Sequence, residues 1–365
     1  MNPKPNIVDL PVYKPGKPIE EVKKELGLSE VIKLASNENP YGAAPSAKAA
    51  IVAELDNLFL YPDGSAAELT AALAKHLGVA GDRIIFGCGS DEIIALIARA
   101  FFLPGDETIM ADQTFSVYKS NADIEGAVTI EVPLKDGTHD LDAMLAKITD
   151  RTKIVWICNP NNPTGTIVPE DALISFLDAV PAGVMVVLDE AYYEYVTDLS
   201  YTDGIKLIDK YPNLVVLRTF SKIYGLAALR IGYGVASQQV ISLINQVREP
   251  FNTTRLAQVA AVAALSDQEY VQQCRALNSA GIVQLEAEFA RLGLTSFPAH
   301  GNFIMVDVRK PASEVFDTLL RQGIIVRTGF HRYPTYLRVT IGSAEQNTAF
   351  VAALEQALKE QEVRA

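Results

Sequence analysis

Thr219-Phe220-Ser221-Lys222-Ile223-Tyr224-Gly225-Leu226, continuing through Ala227-Ala228-Leu229 to Arg230-Ile231-Gly232-Tyr233, follows an apolar run from Leu214 to Leu217 that reads as a strand. A lone lysine is ordinarily a solvated surface charge. Lys222 instead lies between apolar segments, beside Ser221 and just before a glycine turn, with Arg230 eight positions on. A lysine held out of water has a lowered pKa and can act as a nucleophile toward an aldehyde. The fold and the chemistry both turn on whether other segments supply a site around it.

The 365 residues suffice for a large domain and a smaller one with sizeable cores. With 49% hydrophobic and 21% charged residues the composition is globular, not disordered. A net charge of −12 argues against nucleic acid or an anionic membrane as partner, so any anionic ligand must be held by locally placed arginines and backbone amides. Cys88, Cys158 and Cys274 are odd in number and widely spaced, which disfavours disulfides or zinc. His76, His139, His300 and His331 show no metal-ligand spacing. Met1-Asn2-Pro3-Lys4-Pro5 lacks an apolar leader, and Ile93 to Leu103, interrupted by Arg99, is too short to span a bilayer. A cytoplasmic protein is expected.

Residues 1–17 read as a proline- and glycine-rich arm, followed by a short amphipathic helix from Ile19 to Leu26 that stops at Gly27. Helical patterns run from Ser46 to Leu55 and from Ala66 to Leu77, separated by the turn Tyr61-Pro62-Asp63-Gly64. From Arg83 onward strand-like runs at 84–86, 108–110, 128–130, 154–157, 184–188 and 214–217 alternate with helical stretches near 93–102, 115–125, 141–148 and 169–180. Such alternation predicts an α/β fold, a mostly parallel sheet flanked by helices, with ligands at the carboxyl ends of the strands. After Gly234 helices dominate, from Gln239 to Val247 and from Arg255 to about Leu292. Short strands at 303–306, 324–326 and 337–341 with helices near 312–321 and 344–358 then indicate a smaller α+β domain. The expected division is 1–40 as the arm and part of the small domain, 41–250 as the large domain and 251–365 as the small one.

Three turns at strand ends carry chemistry. Gly87-Cys88-Gly89-Ser90-Asp91-Glu92 joins a strand to a helix, with Ser90 the expected N-cap, and such a helix start is an anion site. Cys158-Asn159-Pro160-Asn161-Asn162-Pro163-Thr164-Gly165 holds an asparagine amide between two prolines directly after a strand. Asp189-Glu190-Ala191-Tyr192 ends the apolar run from Val184, and an acid closing a buried strand must be paired. A pyridinium N–H is a suitable partner, so Lys222 and Asp189 together point to pyridoxal phosphate, with Tyr192 in reach of its 3-hydroxyl. Each of these turns alone is an ordinary turn; their joint order is not.

With its Asn-Pro-Asn-Asn-Pro-Thr-Gly turn, Asp-Glu-Ala-Tyr, Ser-Lys followed by Gly-Leu, and Arg-x-Gly-Tyr, the chain resembles the fold-type I pyridoxal-phosphate enzymes of the aspartate aminotransferase superfamily over essentially its whole length. The resemblance implies that Lys222 carries the cofactor as a Schiff base. Ser90, Asp91, Ser221 and Arg230 would receive the cofactor phosphate, with Thr219 a lesser candidate. Phe115 would stack on the pyridine ring where many relatives have tyrosine; Asn162 and Tyr192 would contact its 3-oxygen and Asp189 its nitrogen. Tyr61 would cross to the phosphate from a neighbouring subunit, making the functional unit a homodimer with shared active sites.

The implied activity is transamination between L-histidinol phosphate and 2-oxoglutarate, an amino donor and its acceptor, with ping-pong kinetics. Arg338 and Arg327 would read the anionic groups of both substrates, a phosphate taking the place of an α-carboxylate, and Tyr13 and Asn37 match positions near the substrate. Gly329-Phe330-His331-Arg332-Tyr333-Pro334 departs from the family pattern, and Phe330 or His331 would tilt preference toward aromatic amino acids. An aromatic aminotransferase, a threonine-phosphate decarboxylase and, last, a non-enzymatic module on the same fold remain as alternatives.

Overall fold

The computed structural model describes residues 2–8, 10, 12 and 16–364. Helix α1 (Ile19–Leu26) buries Val22 and ends on Gly27 at φ 65°, a left-handed cap that glycine adopts without strain. It leads through β1 (Ile32–Lys33) to α2 (Pro45–Glu54) and α3 (Ala67–Leu77). The alternating region follows as β2 (Ile84–Gly87), α4 (Ser90–Phe101), β3 (Glu107–Ala111), α5 (Val117–Glu125), β4 (Val128–Val132), α6 (Leu141–Leu145), β5 (Thr152–Cys158), α7 (Glu170–Ala179), β6 (Met185–Asp189), β7 (Leu214–Thr219) and β8 (Gly232–Val235). Then come α8 (Gln238–Val247), α9 (Arg255–Ser266), α10 (Gln268–Arg291), β9 (Thr295–Ser296), β10 (Phe303–Asp307), α11 (Ala312–Arg321), β11 (Ile324–Ile325), β12 (Tyr336–Thr340) and α12 (Ala344–Arg364).

Seven strands form one sheet in the order β2-β8-β7-β6-β5-β3-β4. Strands β3 to β7 run parallel, while β8 lies antiparallel to both β7 and β2. The sequence pattern does not show β8, because two of its four residues are glycine and leave no apolar run. Alternation along the strands divides the core. Val155, Ile157, Val186 and Leu188 face one side with α7 and α9, and Ile154, Trp156, Val187 and Leu217 face the other with α4 and α8.

A second antiparallel sheet, β12-β10-β9, packs with α10, α11 and α12 around Ile304, Val306, Val339, Phe289, Phe350 and Leu354. The N-terminal segment lies beside it, β1 pairing in parallel with β11 as a separate two-stranded sheet. The helical stretch expected over 255–292 is two helices. Asp267, at φ −97° and ψ 62°, ends one and caps the next by accepting from Tyr270 N. Ala257, Ala260 and Ala264 of α9, with Val271 and Cys274 of α10, belong to the core of the large sheet, while Leu285 and Phe289 belong to that of the small one. Among the described residues no helix is long and apolar enough to cross a membrane.

The large sheet also buries charge. Arg218 on β7 donates from Nε and Nη2 to Glu190 Oε2 (2.9 and 2.6 Å) and from Nη2 to Asp203 Oδ1 (2.6 Å), and its guanidinium lies 3.4 Å from the Tyr193 ring centre. Gly204 N donates to the other oxygen of Glu190 at 2.9 Å. Removing one partner of such a buried pair strands the other. Arg218→Ala is expected to lower stability by about 3–5 kcal/mol, read from the urea midpoint, with Glu190→Gln in the same chain restoring part of the loss. A loss below about 1 kcal/mol, the range of exposed pairs, would show that the pair does not anchor this strand.

Candidate active site

Strands β3, β5, β6 and β7 end on one edge of the sheet, and the segments leaving them line a cavity of about 580 Å³. Asn37, Ser90, Asp91, Phe115, Asn162, Asp189, Tyr192, Thr219, Ser221, Lys222, Arg230, Arg327 and Arg338 all line it, so most of the residues singled out in the sequence come together. Tyr61 does not. It lies on the surface, 79% exposed, stacked on Phe251 at 4.9 Å. Tyr13 lies outside the described residues.

At one end, α4 presents its N-terminus. Ser90 is not the cap expected from the sequence but the first helical residue; the cap is Gly89 at φ 79°. Here glycine is required twice over, because the backbone is left-handed and a Cβ would sit 2.6 Å from Arg230 Nη2. A Cβ on Gly232 of β8 would likewise sit 2.5 Å from Ser90 N, so both glycines keep the helix start open. Arg230, itself at φ 52°, donates to Ser221 Oγ (3.3 Å) and to Asp91 Oδ2 (3.4 Å). Thr219 Oγ1 accepts from Ser221 N at 3.0 Å, which steadies the turn before Lys222. Helix amides, two hydroxyls and a guanidinium converge as a phosphate cradle would.

The floor is Asp189, buried at the end of β6. Burial pushes its carboxyl up to about 6, opposed by a hydrogen bond from Tyr118 and by the amide of Ala191. Tyr118 Oη donates to Oδ2 at 2.6 Å and Ala191 N to Oδ1 at 3.2 Å. Sequence reasoning missed Tyr118. The one available signal was its place three residues after Phe115, in the first turn of α5.

Lys222 faces the cavity with Nζ 5.5 Å from the Tyr192 ring centre and no carboxylate partner among the described residues. Burial, then the positive charge of Arg338, brings its pKa down to about 8. Tyr192 Oη accepts from Asn37 Nδ2 (2.9 Å) and Asn162 Nδ2 (3.4 Å), which leaves its own proton to donate into the cavity.

The second sheet supplies the other end. Arg338 of β12 donates to Asn162 Oδ1 (2.5 Å) and to Ala35 O (2.7 Å), with its guanidinium 5.4 Å from the Phe303 ring centre. Arg327 exchanges two backbone hydrogen bonds with Arg338 (3.0 and 2.8 Å), so both arginines border the same space. Thr340 Oγ1 donates to Asn37 Oδ1 (3.0 Å) and accepts from Asn37 N (2.9 Å), holding Asn37 at φ 56°. Gln113 and Phe330 complete the wall, and Arg332 reaches across to pair with Asp112. The cavity fits pyridoxal phosphate on its own geometry. An anion cradle kept open by two glycines, an amine of lowered pKa and a buried acid lie in one space, with a second cationic end beyond them.

Comparison with known proteins agrees with this chemistry. Residues 29–354 match the family model for aminotransferase class I and II. A histidinol-phosphate aminotransferase of Brevibacillus brevis is 56% identical over 357 residues, 98% of each chain, and that of Bacillus subtilis strain 168 is 52% identical over 361 residues, 98% of this chain and all of the other. The crystal structure of histidinol-phosphate aminotransferase from Sinorhizobium meliloti in complex with pyridoxal 5′-phosphate superposes with a TM-score of 0.91 at 29% identity, covering 98% of this chain and 97% of that one.

The raised pKa of Asp189 has a stability consequence. Its folded value of about 6 exceeds the ordinary 3.8, so the cofactor-free protein loses stability as pH rises between those values and none of that loss is present below them. Two units amount to roughly 3 kcal/mol. Asp189→Asn is therefore expected to stabilise the cofactor-free protein at pH 7.5 by about 2–3 kcal/mol, with the gain vanishing near pH 4, as followed by urea unfolding. A gain independent of pH would contradict a buried ionised carboxylate.

Proposed function

The chain belongs to the class I and II aminotransferases, and from that premise we propose that it interconverts L-histidinol phosphate and 2-oxoglutarate with imidazole-acetol phosphate and L-glutamate, in histidine biosynthesis. The observation that carries this reading is one cavity with two cationic ends, Ser90, Ser221 and Arg230 at one and Arg338 with Arg327 at the other. Full-length relatives named for that substrate support it.

Pyridoxal phosphate, when bound, supplies an aldehyde that exchanges with the amino group and a ring that withdraws electrons from the substrate α-carbon. Ser90, Asp91 through its backbone N–H, Ser221 and Arg230 would hold its phosphate, with Thr219 behind them. Phe115 would cover the ring, Asp189 would keep the ring nitrogen charged, and Asn162 and Tyr192 would hold the 3-oxygen. Lys222 would hold the cofactor's aldehyde carbon, and its free Nζ would serve as the base at the substrate α-carbon; a pKa near 8 leaves a useful fraction unprotonated at neutral pH. Arg338 and Arg327 orient substrate by its phosphate or carboxylate, both planar or trigonal anions that a guanidinium fork grips. Asn37 steadies Tyr192.

A homodimer is part of this proposal. Phe59, 81% exposed, and Tyr61 continue an exposed apolar surface with Leu55, Leu58 and Leu60, an area that a second copy would cover while bringing Tyr61 to its phosphate cradle. The large domain extends, in this reading, past residue 250 to the first turns of α10, because α9 packs into the large core. A cytoplasmic setting suits the three free cysteines. Phe330 on the cavity wall supports an aromatic amino acid as the second substrate reading.

Single-turnover reduction of the cofactor's aldehyde absorbance separates these readings. Histidinol phosphate and glutamate are expected to discharge it faster than phenylalanine, and conversion of phenylalanine at an equal or greater rate would overturn the substrate assignment. Lys222→Ala is expected to lose the covalent cofactor band and at least about 10⁴-fold in kcat. Arg338→Ala should weaken both substrates by about 2–4 kcal/mol with the band intact.

A further inference from the structure

Tyr118 is a buried phenol that donates a 2.6 Å hydrogen bond to Asp189 Oδ2, with the neutral Cys158 thiol as its other polar neighbour. Its ring cannot swing away. It is stacked on Trp156 at 4.9 Å and 12°, and meets Phe115 edge-on at 5.5 Å and 81°. Trp156 is itself pinned, Nε1 donating to Thr108 Oγ1 at 2.8 Å, and that hydroxyl to Ile154 O at 2.9 Å. The phenol thus stands at a set height under the cavity floor, with Asp189 above it and Phe115 beside it.

The charges around Asp189 leave this bond decisive. Cys158 at the end of β5 is pushed up to about 12 by burial, and Tyr118 and Tyr192 are raised by burial as well, so all three face the carboxylate as neutral groups. His139, which contacts Cys158 O from the α6 side, is pushed down to about 4 by burial and is neutral too. Asp91 on α4 and Lys222 after β7 are the charged neighbours, and they act in opposite directions. Two donors remain to hold the ionised form, Tyr118 on one oxygen and the amide of Ala191 on the other. Of these, Tyr118 alone is a side chain.

We propose that Tyr118 is a positioning residue, whose hydroxyl, clamped between Phe115 and Trp156, holds Asp189 ionised and turned toward the cavity so that it can partner the ring nitrogen of the cofactor. The inference rests on pyridoxal phosphate being the group that Asp189 faces. No covalent step is added; Tyr118 acts only through Asp189.

Tyr118→Phe keeps the ring stack and removes the hydroxyl. In cofactor-free protein labelled with ¹³C at the aspartate carboxyls, with the Asp189 signal assigned by Asp189→Asn, the Asp189 titration midpoint is expected to rise by about one pH unit or more. In the holoenzyme, kcat at pH 7 should fall about tenfold, with KM for glutamate little changed and the deficit narrowing as pH rises. Equilibrium dialysis with pyridoxamine phosphate should show about tenfold weaker binding for Tyr118→Phe, and no further weakening when the substitution is made in Asp189→Asn. An unmoved midpoint in the folded variant overturns the proposal, as does an equal loss of pyridoxamine phosphate affinity in the Asp189→Asn background, which would mark Tyr118 as mere support for Phe115. A wild-type protein that retains no pyridoxal phosphate would instead overturn the cofactor reading beneath it, a separate failure seen before any variant is made.

Discussion

A carboxylate at the closed end of an apolar strand carries a charge that the surrounding core cannot solvate. Asp189 is in that position, and its pKa of about 6 shows how far burial works against ionisation. Lys222 meets the same low-dielectric space from the other side, and its pKa falls to about 8. Burial therefore drives acid and amine alike toward neutrality, as is typical where groups are held ready for chemistry. A cationic ring nitrogen on one side and an electrophilic carbon on the other would satisfy both groups at once.

The sheet makes that cavity possible. Parallel β5, β6 and β7 bring Asn162, Asp189 and Lys222 to one edge although they are far apart in the chain. Antiparallel β8 then closes the neighbouring position with a glycine backbone, which is thin enough to leave Ser90 N open. Under the site, the Glu190, Arg218 and Asp203 cluster ties the ends of β6 and β7 together. Glu190 and Arg218 of that cluster adjoin Asp189 and Thr219 in sequence, so the packing beneath and the geometry above are coupled.

In the proposed reading, substrate recognition would fall to a different sheet from cofactor recognition. Arg338 comes from β12, yet it is hydrogen-bonded to Asn162 of the large sheet and to Ala35 of the N-terminal segment. The pairing of Arg332 with Asp112 makes a second crossing beside the cavity mouth. Distances between the anion reader and Lys222 are thus set by contacts between two units, and movement of one relative to the other would alter them directly. In the proposed homodimer, Tyr61, outward on an apolar surface, would extend the same logic to a second copy of the chain.

How much of this was legible differs from residue to residue. Strand and helix alternation from Ile84 to Leu217 was readable because buried parallel strands are uninterrupted apolar runs, and Asp189, Asn162 and Lys222 stood out as polar groups placed at their ends. The glycine-poor rule for strands hid β8, and Ser90 was misplaced by one residue because sequence preference favours serine as a cap, whereas the approach of Arg230 demands glycine. Tyr118 carried only its spacing from Phe115, a mark it shares with many core aromatics. The sequence by itself determined the fold class, the cofactor chemistry and most of the residues that line the cavity, since these follow from local periodicity and from polar groups at strand ends. Only the tertiary structure decided which donor holds Asp189, how Arg338 reaches Asn162 and where Tyr61 points, because hydrogen bonds and charge compensation depend on distances between segments that no linear pattern records.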